Sequence, residues 1–222
     1  MNTMIYQVAI WLVPLVFAIV LHEISHGWVA NALGDPTAKR LGRLTLNPIK
    51  HVDPIGTVVL PLILAITKAP IFGWAKPVPV VAERLRHPRR DMVLVALAGP
   101  AINLALALAT AVALGLASAA TTELPRVVAD LGLSFLIVNV GLALFNLIPL
   151  PPFDGGHVVE GALPRSLVPA WQRLGRVAFP LLIVLLLVLP MISDRLNIVA
   201  RLVAPPANAL ILWFLGIADA LA

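Results

Sequence analysis

Cysteine is absent from this 222-residue sequence and charged residues are scarce. Without cysteine there is no disulfide framework, and no metal or cofactor can be held by thiolates. Charged residues make up 12% of the chain, against roughly 25% in typical soluble domains. A chain with so little charge and 60% hydrophobic residues cannot cover a water-facing surface. We therefore predict a membrane protein.

The sequence also lacks features that would suggest other architectures. The sequence has no internal repeat of the kind found in inverted-repeat transporters. It also has no stretch long enough for an additional soluble domain. The amino-terminal apolar segment has no basic region before it and no small-residue cleavage site after a short apolar core, so we expect it to be retained. We expect one membrane domain over residues 1–222, with a catalytic core in 1–160 and C-terminal spans, a possible gate, in 161–222.

Long apolar stretches predict an all-α polytopic membrane protein with a three-helix core and two C-terminal spans. A bilayer core of roughly 30 Å needs about 20 helical residues. The fourth stretch is short, although 171–175 could extend it as helix. The predicted spans are Met4–Leu33, Met92–Ala119, Val127–Leu150, Val177–Ile192 and Ile198–Ala218.

The region Gly34–Asp91 resembles no span and predicts an irregular unit at the membrane face. Its apolar run Ile55–Ile66 is too short to cross straight and suits a re-entrant or interfacial segment. The flanking stretches Leu41–Asn47 and Ile71–Val81 are rich in β-branched residues, Gly and Pro, which predicts short strands or an extended β-ribbon. Such segments could pair with an unwound substrate as an added strand.

Basic residues predict the orientation. Most of the 16 Lys and Arg residues lie in Gly34–Asp91 or in the loop after the third span. By the positive-inside rule, these loops face the cytoplasm and the amino terminus faces the outside of the cell. We expect the protein to lie in the plasma membrane. The net charge of +5 then reflects membrane topology rather than a nucleic-acid partner.

The first span contains an HExxH motif, His22-Glu23-Ile24-Ser25-His26. Positions i and i+4 of a helix share a face, so His22 and His26 can bind one metal ion, while Glu23 can take a proton from a metal-bound water. A charged residue in hydrocarbon costs roughly 2.5–3.5 kcal/mol on insertion scales, and a metal would compensate that cost. A buried proton relay is the alternative.

A catalytic zinc site needs a third protein ligand, and Asp154 is the candidate. It follows the prolines that end the third span, and Gly155 and Gly156 permit a tight backbone there. The first span leaves the membrane on the side to which the third returns, so both half-sites meet at similar depth. Capping of a helix end is the alternative role for Asp154.

The two motifs together resemble the site-2 protease family of intramembrane zinc metalloproteases, in its compact prokaryotic branch. The resemblance covers about residues 15 to 160. It rests on His22–Gly27, Asn146–Gly155, Ala98–Asn103, Asn47–Thr57 and Phe72–Pro77.

The resemblance implies one zinc ion bound by His22, His26 and Asp154, with Glu23 as general base. It implies that Asn146 binds the substrate backbone or stabilises the oxyanion, and that a locally unwound transmembrane helix is cleaved in regulated intramembrane proteolysis. The PDZ and CBS regulatory domains of larger members are lacking, which leaves substrate selection open.

The sequence gives less specific predictions for the other polar residues. Asn103 is expected mainly to pack between helices, with Gly99 allowing close approach to the HExxH helix. His51 is a candidate for substrate or oxyanion contact, and His157 is a less favoured ligand. Two rival functions are a metal or proton transporter and a scaffold with a structural zinc. Substrate identity and oligomeric state stay open.

Overall fold

A computed structural model describes residues 3–59, 63, 66, 75–121, 123–193, 197 and 199–222. Helices of nine or more residues in this part of the chain are α1 (Thr3–Ala32), α2 (Pro88–Ala120), α3 (Arg126–Asn146), α4 (Asp154–Ala162), α5 (Val168–Ile183) and α6 (Ala204–Leu221). Shorter α-helical turns are Thr37–Arg40 and Leu189–Ile192, and 3-10 turns are Pro48–His51 and Ala82–Arg84. The segments Pro54–Val59, Val184–Val188 and Val199–Val203 are π-helical.

Four of the helical stretches are long and apolar enough to cross a membrane: Ile5–Ala32, Pro88–Ala120, Arg126–Asn146 and Ala200–Leu221. The predicted all-α polytopic fold is confirmed. The stretch predicted as the fourth span, Val177–Ile192, is not among these four helical stretches. There α5 has 16 residues and the chain continues as short π- and α-helical segments. Prolines 180 and 190 interrupt regular hydrogen bonding and account for this.

Large apolar side chains remain exposed on the outside of these helices. Trp11, Phe17 and Trp28 of α1 are exposed at 45%, 54% and 60%, and Leu212 and Trp213 of α6 are similar. A helix that is apolar both on its packed face and on its outer face is a membrane span rather than an amphipathic surface helix. The exposed apolar surface therefore faces lipid.

The helices α1, α2 and α3 pack against one another and form a three-helix core, and α2 also contacts α4 and α6. Small residues allow this close approach. A buried cluster joins α6 to the core, and at Gly115 of α2 an added Cβ would lie 2.8 Å from Leu221 Cβ. The cluster consists of Ala107, Ala111, Leu136, Val140, Ala207, Phe214 and Ala218.

The described part of Gly34–Asp91 is irregular, and it contains no β-strand. The strands predicted for Leu41–Asn47 are therefore wrong: this stretch forms turns and bends. Residues 75–81 form neither helix nor strand, and the two prolines there favour an extended backbone, whereas 71–74 lie outside the described residues. Part of the predicted re-entrant run Ile55–Ile66 also lies outside them, and the described start of this run, 55–59, belongs to a π-helical segment.

Candidate metal centre

Both histidines of the HExxH motif lie on the face of α1 that packs against α2. His22 and His26 are buried, and their ring centroids are 4.7 Å apart with the rings nearly perpendicular. The one-turn spacing therefore brings both imidazoles to one point inside the three-helix core. The position lies in the carboxyl-terminal half of a helix that begins at Thr3.

Asp154 reaches the same point from the turn after α3. Helix α3 ends at Asn146, and the chain turns sharply before α4 begins at Asp154. The turn is tight: a Cβ at Gly155 would lie 2.7 Å from the carbonyl carbon of Leu147. Asp154 Oδ2 lies 3.1 Å from His22 Nε2, and Oδ1 lies 3.5 Å from His26 Nε2.

The other ring nitrogens of both histidines are held by acceptors. His22 Nδ1 lies 2.6 Å from the Asn103 side-chain oxygen, and His26 Nδ1 lies 2.7 Å from the Val95 carbonyl oxygen. A carbonyl oxygen accepts, so both rings carry hydrogen on Nδ1, and in the neutral rings the lone pair of Nε2 faces Asp154. This is how metal-binding histidines are usually oriented.

The inward-facing atoms fit a zinc ion. Two imidazole lone pairs and a carboxylate that face one another repel unless protons or a metal cation lie between them. The candidate ligand atoms lie within 4.8 Å of one another, and Asp154 Oδ2 is buried without a hydrogen-bond partner in the described structure. Tetrahedral zinc with bonds of about 2.0–2.1 Å would separate its ligand atoms by about 3.3 Å, close to the observed 3.1 and 3.5 Å.

The charge on Asp154 also suits a metal ligand. Burial raises the pKa of its carboxyl group, but hydrogen bonds and positive charge from His22 and His26, when their Nε2 atoms carry the protons that zinc would replace, outweigh burial and lower this pKa to about 2. The carboxyl group is therefore ionised at neutral pH. An ionised carboxylate and two neutral imidazoles form one of the donor sets found in catalytic zinc sites.

Gly99 of α2 forms the wall behind the two imidazoles. A Cβ there would lie 2.5 Å from His22 Nε2 and 2.6 Å from His26 Cε1. The expectation that Gly99 allows close approach of α2 to the HExxH helix is confirmed by these distances. Any larger residue would occupy the space that the imidazoles need.

Glu23 is half-buried, and its carboxylate is held by a residue from outside the core. The backbone N–H of Val78 donates to Glu23 Oε2 at 2.7 Å. Because Val78 stands between Pro77 and Pro79, it supplies the only backbone N–H of that tripeptide. Val78 also packs closely on α1, since a Cβ at Gly27 would lie 2.9 Å from Val78 Cγ1.

The extended segment 75–81 is fixed along its length. Lys76 N–H donates to the His51 carbonyl oxygen at 2.9 Å, and the Arg43 guanidinium donates to the Lys76 carbonyl oxygen at 2.9 Å. Farther along, Val81 N–H donates to Asp35 Oδ2 at 2.7 Å. The segment is therefore anchored on both sides of its contact with Glu23.

Asp35 is the anchor at the far end of the segment, and it is fully buried. Burial raises the pKa of its carboxyl group, but hydrogen bonds from the Thr37 hydroxyl and from the Val81 and Thr37 N–H groups outweigh burial and lower this pKa. Asp35 therefore stays ionised at neutral pH and ties the chain after α1 to the segment 75–81.

Asn146 and His51 are not joined to the histidine–aspartate cluster by hydrogen bonds within the described structure. Asn146 is the last residue of α3, and its amide donates to the Leu142 carbonyl oxygen at 2.9 Å. His51 is buried in a turn that packs against α1, with Nε2 3.0 Å from the Thr45 carbonyl oxygen. Its Nδ1 is buried without a partner among the described residues.

His157 points away from the centre. It is exposed and lines a cavity of about 280 Å³ between α4 and α5, together with Glu160, Trp171 and Gln172. The Trp171 indole N–H donates to the Gly156 carbonyl oxygen at 3.1 Å and so ties α5 to the Asp154 turn.

Three groups that support the centre in the structure were not predicted from the sequence: Asn139, the backbone N–H of Val78, and Asp35. Asn139 could have been found from the sequence, because a polar residue inside an apolar 21-residue helix marks a candidate functional position. The backbone N–H of Val78 has only the weak signal of a lone amide between two prolines. Asp35 follows the Gly34 turn, and nothing in the sequence indicates its distant partner Val81.

Comparisons with known proteins place the chain among metalloproteases. The model of the family "Peptidase family M50" matches residues 123–189. YwhC of Bacillus subtilis, a candidate zinc metalloprotease by name, is 41% identical over 180 residues that make up 78% of each chain. Rip2 of Mycolicibacterium smegmatis and of Mycobacterium tuberculosis, named likewise, are 36% and 34% identical over 76% and 74% of this chain. The aligned parts make up 60% and 61% of the two Rip2 proteins. No solved structure gives a significant match.

Proposed function

Because this chain belongs to peptidase family M50, the site-2 protease family of zinc metalloproteases, we propose that it hydrolyses peptide bonds within or near transmembrane helices of other membrane proteins. The reaction would use one zinc-activated water molecule. The main support for this proposal is that His22, His26 and Asp154 converge beside Glu23 inside a helical core.

The proposed metal ligands are Nε2 of His22 and His26 and the carboxylate of Asp154. Zinc held there would polarise the scissile carbonyl and lower the pKa of a bound water toward neutrality. The Nδ1 contacts of the two histidines keep their rings turned toward that position. Since the ligands come from α1 and from the turn after α3, the centre depends on the packing of both helices.

Glu23 is the proposed general base. Its carboxylate takes a proton from the attacking water and later delivers it to the leaving amine. The Val78 N–H donates to Oε2 and leaves Oε1 as the atom for proton transfer. Because the segment 75–81 is anchored at Lys76 and Val81, this hydrogen bond positions the base before substrate arrives.

Asn146 and His51 are proposed to contact the substrate backbone. Asn146 uses one amide hydrogen within its own helix and retains a second donor for a substrate carbonyl or the oxyanion. His51 has a different capacity. Its Nε2 carries hydrogen toward Thr45, so in the neutral ring Nδ1 is an acceptor, suited to a substrate N–H rather than to an oxyanion.

The segment 75–81 is a poorer template for an added substrate strand than its extended form suggests. The N–H groups of Lys76, Val78 and Val81 already donate within the protein, and Pro77 and Pro79 have none. Strand addition needs free main-chain donors and acceptors. We therefore propose that this segment is a wall that holds Glu23.

The proposed partners are a transmembrane protein substrate and the lipid bilayer. The proposed location is the plasma membrane, with the centre toward the cytoplasm, because the centre lies at the end of α1 next to the basic region Gly34–Asp91. Membership of a peptidase family disfavours the transporter and scaffold alternatives.

The test replaces Glu23 with Gln, which keeps an acceptor for the Val78 N–H but cannot take a proton. Zinc content of the purified variant should equal that of wild type, and cleavage of a labelled single-span membrane substrate should fall by about 10²–10⁴-fold. Metal analysis and gel-based cleavage in detergent and in proteoliposomes measure both quantities.

His22→Ala is the matched control and should lose zinc as well as cleavage. Full cleavage by Glu23→Gln would contradict the assigned base. Loss of zinc from Glu23→Gln would instead show that Glu23 is a ligand, which would contradict the proposed ligand set.

A further inference from the structure

A line of buried amide side chains extends from His22 across the whole three-helix core. Asn103 of α2 and Asn139 of α3 are both 0% exposed. The Asn103 oxygen lies 2.6 Å from His22 Nδ1, and its nitrogen lies 2.7 Å from Asn139 Oδ1 and 3.3 Å from the Ala18 carbonyl oxygen. The Asn139 nitrogen lies 2.8 Å from the Phe135 carbonyl oxygen. One continuous chain of hydrogen bonds thus joins α1, α2 and α3.

Only one orientation of the two amides lets each of these contacts run from a donor to an acceptor. The Phe135 carbonyl only accepts, so Asn139 must turn its NH₂ group toward it and its oxygen toward Asn103. Asn103 must then donate to Asn139, and donation to the Ala18 carbonyl enforces the same orientation. The Asn103 oxygen is left facing His22, which must carry its hydrogen on Nδ1. The lone pair of His22 Nε2 therefore faces the metal position.

We propose that Asn103 and Asn139 are positioning residues that act in series on the metal ligand His22, an inference that rests on the proposed ligand role of His22. Asn103 orients the imidazole directly. Asn139 acts one step farther away by preventing the Asn103 amide from flipping. The helix that leads to Asp154 thereby also orients a ligand on α1.

A packing role for the two asparagines predicts different behaviour. Leu has the same number of side-chain heavy atoms and the same branching as Asn and is at ease in an apolar core, so a packing role tolerates Leu better than Asp. A positioning role requires an acceptor. Asp at 103 still accepts from His22 Nδ1, and Asp at 139 still accepts from the Asn103 amide, whereas Leu does neither.

The experiment measures zinc affinity by competition with a chromogenic chelator in detergent-purified protein. Asn103→Leu should weaken zinc binding by about 10–100-fold, the range observed for loss of partners of metal-bound histidines. Asn139→Leu should weaken it by about 10-fold, because the Asn103 amide becomes free to flip. Asn103→Asp and Asn139→Asp should each bind more tightly than the corresponding Leu variant. The reverse order at both positions would overturn the proposal.

A double-mutant cycle keeps the test decisive if an Asp variant does not fold. When two residues act in series, loss of the nearer one makes the farther one irrelevant. Asn103→Leu/Asn139→Leu should therefore bind zinc as weakly as Asn103→Leu alone. Additive losses would overturn the proposed series. Ser134→Ala is the control: Ser134 is a buried polar residue of α3 that does not belong to the hydrogen-bond chain, and its replacement should leave zinc affinity unchanged.

Failure of the inference and failure of the proposed function give different results. If His22→Ala retains wild-type zinc affinity, the ligand assignment fails and the inference fails with it. If His22→Ala loses zinc while Asn103→Leu and Asn139→Leu retain it in folded, monodisperse protein, only the inference fails. Cobalt(II) substitution gives an independent readout, because a displaced imidazole changes the visible absorption of the loaded protein.

Discussion

At the residue scale, the candidate centre depends on hydrogen-bond direction as much as on ligand identity. His22 and His26 each have one nitrogen held by an acceptor in α2, at Asn103 and Val95 respectively. Their other nitrogens then face the carboxylate of Asp154, an arrangement of acceptors that only a proton or a cation stabilises. The same argument makes His51 Nδ1 an acceptor, since its other nitrogen donates to Thr45.

At this scale we predict that replacement of Gly99 weakens zinc binding. In Gly99→Ala the new methyl group would lie 2.5 Å from His22 Nε2 and 2.6 Å from His26 Cε1, closer than atoms pack, so the rings must turn away. We expect zinc affinity to fall by about 10–100-fold, as for other disturbances of ligand orientation. Chelator competition measures this change.

Gly141→Ala is the matched control, because a Cβ at that helical position meets nothing within 4 Å. Its zinc affinity should match that of wild type. If both alanine variants bind zinc normally, α2 is not a rigid wall behind the imidazoles.

At the scale of elements, the centre is assembled from a helix, a turn and an extended segment. The segment 75–81 contributes a backbone group rather than a side chain, the N–H of Val78. The segment is fixed by Arg43, His51 and Asp35, which come from different parts of the region after α1. This irregular region is therefore part of the catalytic apparatus in the proposed mechanism, although it has no regular secondary structure at that point.

Val78→Pro tests this contribution. Proline keeps a comparable volume but removes the N–H, so the Glu23 carboxylate loses its anchor while the three proposed ligands are unchanged. We expect cleavage of a labelled single-span substrate to fall by about 10²-fold, the lower end of what a positioned general base contributes. Zinc content should stay at the wild-type level, and steady-state cleavage with parallel metal analysis measures both.

Val78→Ala provides the comparison, since it keeps the N–H and loses side-chain packing. It should retain more activity than Val78→Pro. An equal loss in both variants would assign the effect to packing against Gly27 rather than to the hydrogen bond.

The C-terminal elements differ in how firmly they are attached. Helix α6 packs on α2 and α3 through Phe214 and its small neighbours, whereas α5 is tied to the Asp154 turn by the Trp171 indole. The suggested gate in residues 161–222 stays a prediction. If it exists, we expect α5 to move more readily than α6, because α6 shares a buried cluster with the core.

At the scale of the whole molecule, a metal at this centre would join the first and the third helix of the core. Its ligands come from α1 and from the turn after α3, which are separated by more than half of the sequence. A ligand that binds only the folded state stabilises it by about 2.7 kcal/mol at 100 times its Kd. Zinc should therefore stabilise the fold as well as activate water.

Removal of zinc should lower the midpoint of thermal unfolding of the purified protein, and zinc added back should restore it. Unfolding monitored by intrinsic tryptophan fluorescence in detergent measures the shift. His22→Ala should show no zinc-dependent shift. A shift of equal size in His22→Ala would place the stabilising zinc at another site.

The sequence by itself determined the class of fold and the chemistry of the candidate ligands. Length and apolarity of the stretches predicted the membrane helices, because the bilayer imposes both requirements on every span. The HExxH spacing predicted that His22 and His26 share a helix face, since that follows from helical geometry alone. Among the predicted spans the fourth differed, where prolines 180 and 190 interrupt an otherwise apolar stretch.

Tertiary structure decided what depends on contacts between distant segments. The distances from Asp154 to His22 and His26, the bond from Val78 to Glu23, and the chain through Asn103 and Asn139 all join distant residues. Periodicity describes only the face of one helix, so it cannot state which amide on a neighbouring helix meets which imidazole. A strand was predicted for Leu41–Asn47, but a strand needs a partner along its edge, and the fold supplies none there among the described residues.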